Sequence, residues 1–158
     1  MGKLSTFVAT TVLSVGFSAT SFAATPDVYV VNFSQNDNAE SQALDSRLNS
    51  ALVGMNNVEQ VNIDTSTAAA WEAGAHKAFD RDIVPVFNKW VGLPGFAAVV
   101  DAKSKRVIGC VNSTFNSSEI SSEVRKMAAQ ATGQAFTSRA STRSKTTQCP
   151  PAHNKIPF

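Results

Sequence analysis

Cysteine is scarce in this sequence. There are two, Cys110 and Cys149, and none stands before position 110. Dithiol–disulfide exchange needs a thiolate nucleophile and a nearby thiol to resolve the mixed disulfide. No Cys-x-x-Cys is present to supply them. The two histidines, His76 and His153, lie far apart. With no Cys or His cluster at ligand spacing, neither a metal site nor a bound cofactor is expected. The apolar runs are all shorter than the roughly 20 residues that a membrane span requires. Charge of one sign is lacking too: 14 Lys and Arg stand against 12 Asp and Glu, a net charge of +2. That balance gives no electrostatic footprint for nucleic acid. His76 can be drawn into a triad with Asp80 or Asp82 and one of many serines. No Gly-x-Ser-x-Gly elbow supports it, so His76 reads as a helix-surface residue and no catalytic constellation is assigned.

The amino terminus has the grammar of an export signal. Lys3 is a short basic region, Phe7 to Phe17 is mostly apolar, and Ser21-Phe22-Ala23 gives a small-x-small end. Residues 1–23 therefore read as a signal peptide cleaved near Ala23 or Ala24, and the protein as periplasmic or secreted. No cysteine stands at the cleavage point to take a lipid. In an exported chain a disulfide between Cys110 and Cys149 is the first expectation. A free, buried Cys110 or a reactive lone thiol are the alternatives. A bond closing so long a loop contributes about 3–4 kcal/mol.

Residues 24–133 read as one domain. Asp27 to Phe33 is a buried strand, followed by a turn-prone Ser-Gln-Asn-Asp-Asn. Asp37, with Glu40, is the expected cap of a helix carrying Leu44, Leu48, Ala51 and Leu52. Gly54 stops that helix. Val58 to Ile63 is a second strand. Thr65-Ser66-Thr67 opens an Ala-rich helix whose apolar face is Trp71, Ala75, Ala78 and Phe79. Asp82 is the expected cap of a shorter helix with Pro85 in its first turn and Ile83, Val86, Phe87 and Trp90 inward. After the turn Gly92-Leu93-Pro94-Gly95 come a fully buried strand, Phe96 to Val100, and its hairpin partner, Arg106 to Val111. Asn116 and Glu119 cap a last helix with Ile120, Val124, Met127 and Ala128 inward, and Gly133 ends it. Residues 134–158 form a Ser-, Thr- and Pro-rich tail with Arg139, Arg143, Lys145 and Lys155 and no acid. Of three glycosylation sequons, at Asn32, Asn112 and Asn116, the first lies in a core strand and is incidental.

The order β-α-β-α-α-β-β-α predicts an α/β fold, a small mixed sheet with helices on both faces. It resembles the thioredoxin fold. Val30-Val31-Asn32-Phe33 and Val61-Asn62-Ile63-Asp64 look like that family's first two core strands. Val91-Gly92-Leu93-Pro94 with Phe96 to Val100 looks like its cis-proline loop and third strand, and Lys105 to Gly109 fits the last. The redox slot, however, holds Asn38-Ala39-Glu40-Ser41. The resemblance thus implies a redox-inactive member that keeps a groove for a protein or extended peptide. That groove would be made by Asn36, Asp37, Asn38, Ser41, Trp90, Leu93 and Pro94, with the Leu93 backbone free to pair with a partner strand. Ala70-Trp71-Glu72-Ala73-Gly74 and the Pro94–Val100 stretch are also similar to exported thioredoxin-like accessory proteins of conjugation and type IV secretion machinery. A binding or scaffold role in the cell envelope follows from that likeness. A thiol-dependent function at Cys110 or Cys149 is the alternative.

Overall fold

In a computed structural model, residues 25–135 and 148–152 are described. The expected signal peptide and most of the basic tail lie outside the described residues. Strand β1, Val28–Ser34, is buried at all seven positions. It sits inside a four-stranded sheet of order β2-β1-β3-β4 and is covered on both faces, which is why its sequence is nearly continuous in apolar residues rather than alternating. It pairs in parallel with β2, Val58–Asp64, and antiparallel with β3, Phe96–Asp101. β3 pairs antiparallel with the edge strand β4, Val107–Asn112, across an irregularity at Val99/Val100. The described residues therefore form an α/β fold with a mixed sheet and four helices.

Odd and even positions of β1 serve different cores. On one face Val28, Val30, Ala97, Val99 and Val111 meet Leu44, Leu48, Ile120, Val124 and Met127. Those side chains come from α1, Ala39–Ala51, and α4, Ser117–Ala131. On the other face Tyr29, Val31, Phe33, Ile63 and Phe96 meet Ala78, Phe87 and Trp90. Here the helices are α2, Ala68–Asp80, and α3, Val84–Trp90. Asn32 is buried within β1, and its amide donates to Asp45 Oδ1 on α1; the sequon there is out of reach.

Helix ends follow local chemistry, with two differences from expectation. Asn116 and Glu119 form a reciprocal capping box at α4, and Thr67 Oγ1 accepts from Ala70 N at α2. The cap of α1 is Asn38, not Asp37: Asn38 Oδ1 accepts from Ser41 N at 2.9 Å. Asn38 N donates to Gln35 O, so Asp37 is used up in the tight turn that precedes the helix. Asp82 likewise does not cap α3. It adopts φ 55° as the left-handed stop of α2, with Asp82 N donating to Phe79 O and Ile83 N to Ala78 O. That is the Schellman pairing, here formed around an aspartate rather than glycine. Ile83 then stands at the N-cap of α3 and makes no side-chain cap bond.

The apolar face expected of α2 is split in two. Gly74 and Ala78 are buried against the sheet, whereas Trp71 and Phe79 are 47% and 74% exposed. A Cβ at Gly74 would stand 3.1 Å from Ile63 Cγ2. Glycine mid-helix, normally a cost of about 1 kcal/mol, here lets α2 lie close on β2. Among the described residues no helix is long and apolar enough to cross a membrane.

Candidate functional site

The loop between α3 and β3 stands beside the amino terminus of α1. Gly95 has φ 87°, and a Cβ built on it would lie 3.4 Å from Glu40 Oε2. Gly92, at φ 85°, starts the same loop. Both positions require the left-handed backbone that glycine adopts without strain. The Leu93–Pro94 peptide bond is trans, not the cis bond that the resemblance implies. Leu93 N donates to Trp90 O at 3.0 Å, so that N–H is not available to a partner strand. Its side chain packs on the aromatic core.

The other expected groove residues divide. Asn36 and Asp37 are exposed on the β1–α1 loop. Asn36 N donates to Ser66 Oγ at 2.8 Å, which draws the loop toward the β2–α2 turn, while Pro94 leads into β3 on the opposite side of β1. Asn38 is engaged as the cap. Ser41 is buried, its hydroxyl without a hydrogen-bond partner among the described residues. Trp90 is wholly buried, edge-on to Phe33 and Phe96 with centroids 6.4 and 5.7 Å away. Ser41 and Trp90 are therefore buried rather than exposed in an open groove, Trp90 within the aromatic core.

Cys110 and Cys149 are joined. Their sulfurs are bonded, with Cα atoms 4.9 Å apart across 39 positions of sequence. Cys110, on β4, is buried on the aromatic face; Cys149 is half-buried against the same core. The bond holds the strap of residues 148–152, which has no helix or strand of its own, over that face. A second anchor follows at once: Trp90 Nε1 donates to Pro150 O at 3.0 Å. A buried indole needs a partner for its single donor, and the strap supplies it. Between the strap and the α3–β3 loop runs an open groove of about 710 Å³, lined by Pro94, Gly95, Phe96 and Asn112 on one side and Gln148, Cys149, Pro150 and Pro151 on the other. Of the seven residues expected in a groove, Pro94 is the one that reaches it.

A second concavity, about 590 Å³, lies between α2 and α3. Trp71, Ala75, Phe79, Phe87 and Val91 make it apolar, with Glu72, His76 and Asn88 at its rim. His76 is exposed, 4.0 Å from Glu72. Sequence reasoning missed this groove. The signal was present: Trp71, Ala75 and Phe79 form one i, i+4, i+8 row, and Gly74 and Ala78 a neighbouring one. The small residues mark the row that touches the sheet.

Two carboxylates hold turns at the ends of strands β2 and β3. Ser66 donates to Asp64 from its hydroxyl and its backbone, and these bonds keep the Asp64 carboxyl below its usual range. Asp101 is lowered in the same way, first by the Ser104 hydroxyl and then by the Ser104 and Lys103 amides. Among the described residues no three His, Cys, Asp or Glu side chains are grouped to hold a metal ion.

The fold and site thus define a four-stranded mixed α/β protein with a disulfide-held strap across one face. The chain matches no protein-family model, no curated protein and no solved structure.

Proposed function

We propose that this protein is an exported, non-catalytic, thioredoxin-like binding protein of the cell envelope, which holds an extended segment of a partner protein. The observation that carries the reading is the α1 amino terminus. Where the thioredoxin pattern needs a thiol pair, Asn38 is engaged as a cap and Ser41 is buried. The strand order, with β3 antiparallel to its neighbours, and the closeness of Gly95 to Glu40 agree with that fold. The leader-like residues 1–23 and the disulfide agree with a periplasmic or secreted protein. An accessory place in a conjugation or type IV secretion apparatus rests on the likeness of residues 70–74 and 94–100. Trp71, the largest side chain in those stretches, is half exposed in an apolar groove and so free to meet a partner.

Two measurements test this. Purified protein should not accelerate reduction of a substrate disulfide by dithiothreitol, and a photo-crosslinking residue at Pro94 should trap one defined envelope protein in cells. Turnover in the first, or no adduct in the second, overturns the reading. A thiol function at Cys110 or Cys149 requires that their mutual bond be opened first.

A further inference from the structure

The strap shows what its own seat accepts. Three features converge there. Trp90 is 0% exposed and its one donor is met by a carbonyl of the strap, not of the domain's regular structure. That carbonyl belongs to the first residue of Pro150-Pro151, a pair whose rings restrict the backbone to an extended form. Beside it the wall of Pro94, Gly95 and Phe96 leaves open space along the strap. An aromatic N–H aimed at the carbonyl of a proline-restricted segment, flanked by apolar walls, is the physical pattern by which proline-rich peptides are held. What fixes the strap here is the covalent bond to Cys110.

We propose that the seat formed by Trp90, Phe96 and Cys110 is a binding site for an extended, proline-containing peptide, that Gln148–Ala152 is its tethered self-ligand, and that the Cys110–Cys149 bond locks the seat shut. The lock rests on the strap alone. The idea that the freed seat serves a partner rests on the binding-protein reading above.

Opening follows ordinary thiol exchange. The thiolate of a dithiol reductant attacks Cys149 Sγ, the more accessible sulfur, and Cys110 leaves as thiolate and takes up a proton. The reductant's second thiolate then displaces Cys149, which is protonated in turn. One S–S bond is lost in this protein and one forms in the reductant; two electrons and two protons are transferred. Freed from its covalent anchor, the strap keeps only the Trp90 hydrogen bond and its apolar contacts, and a peptide in solution competes with it.

The probe is a fluorescent peptide of residues 146–154 carrying Cys149→Ser, titrated into the full-length protein, oxidised and in excess dithiothreitol. Binding should be at least about tenfold tighter to the reduced protein, and replacing both prolines of the peptide by alanine should weaken it. Trp90→Phe removes the donor and retains most of the packing; it should lower affinity of the reduced form by about tenfold, the worth of one buried hydrogen bond. Equal binding by both redox forms, or by neither, overturns the proposal, and the unmutated protein alone decides between these outcomes. Loss of the envelope adduct with peptide binding intact would count against the partner reading and leave the lock standing.

Discussion

The two faces of the sheet solve the same burial problem differently. The α1/α4 face is closed by helices of 13 and 15 residues, which bring Leu44, Leu48, Ile120, Val124 and Met127 down on the strands. Arg47 ties α1 to the loop that leads into α4 by donating to the Ser113 and Phe115 carbonyls. The α2/α3 face has helices of 13 and 7 residues. The shorter second helix reaches Phe96 only through Trp90, and a disulfide-held strap lies beside it, bonded to Cys110. Aliphatic packing between regular elements needs no covalent help, whereas an irregular segment, which has little packing of its own to repay its ordering, is held by a bond and one hydrogen bond. The exposed Trp71 and Phe79 lie on that same less regular face.

The sharpest way to break the contrast is to hollow each face. Trp90→Ala should cost about 3–5 kcal/mol and Ile120→Ala about 2–5 kcal/mol in urea unfolding; only Trp90→Ala should also loosen the strap, seen as faster proteolysis after Gln148. Cys149→Ser comes next, with a loss of up to about 4 kcal/mol by the loop-entropy account. Its melting temperature should then be insensitive to dithiothreitol, whereas that of the parent falls. No difference between the two proteins without reductant would mean that the bond does not hold the fold. On the closed face, Asn116→Ala should remove about 1 kcal/mol by breaking the capping box of α4. A smaller effect is read in acid. Asp64 and Asp101 have folded-state pKa values below those of the unfolded chain. Their contribution is complete above the unfolded value near pH 4 and fades as the pH falls through the folded values. Asp101→Asn should therefore lessen the fall in stability below about pH 4. Smallest of all, Trp71→Ser and Phe79→Ser should each change the free energy of unfolding by no more than about 0.5 kcal/mol, while reducing binding of a hydrophobic dye.

How much of this is legible in the sequence differs by kind of feature. The eight elements can be read because their signals are local: a β-branched run for β1, a capping box for α4, glycine stops after α1 and α4. The α/β class and the helices on both faces follow from their order, and the disulfide from having two cysteines in a chain whose first residues read as an export signal. The site is less legible because it depends on competition between neighbours. Asp37 and Asn38 both make good caps, and the turn at Gln35 decides for Asn38. Asp82 reads as a beginning when it is an end, since either role suits a short acidic side chain. The face of α2 comes out too wide because a helical wheel cannot tell which of two adjacent apolar rows meets the sheet; Gly74 decides it by permitting close approach. The seat under the strap cannot be read at all, for nothing in the local sequence says that Trp90 and Pro150 meet.

The position of β1 has a consequence for how the chain must assemble. Its parallel neighbour β2 arrives early, with Val28 opposite Val58, but its antiparallel neighbour comes much later, with Val28 opposite Asp101. Until β3 is present, Val-Tyr-Val-Val-Asn-Phe has one unsatisfied backbone edge and two apolar faces, the composition from which intermolecular β-aggregates nucleate. So non-local a pairing slows folding. A nascent chain would therefore pass through a vulnerable interval that ends only when the Phe96–Asp101 segment docks, and chaperone dependence during biogenesis should track that docking rather than closure of the disulfide.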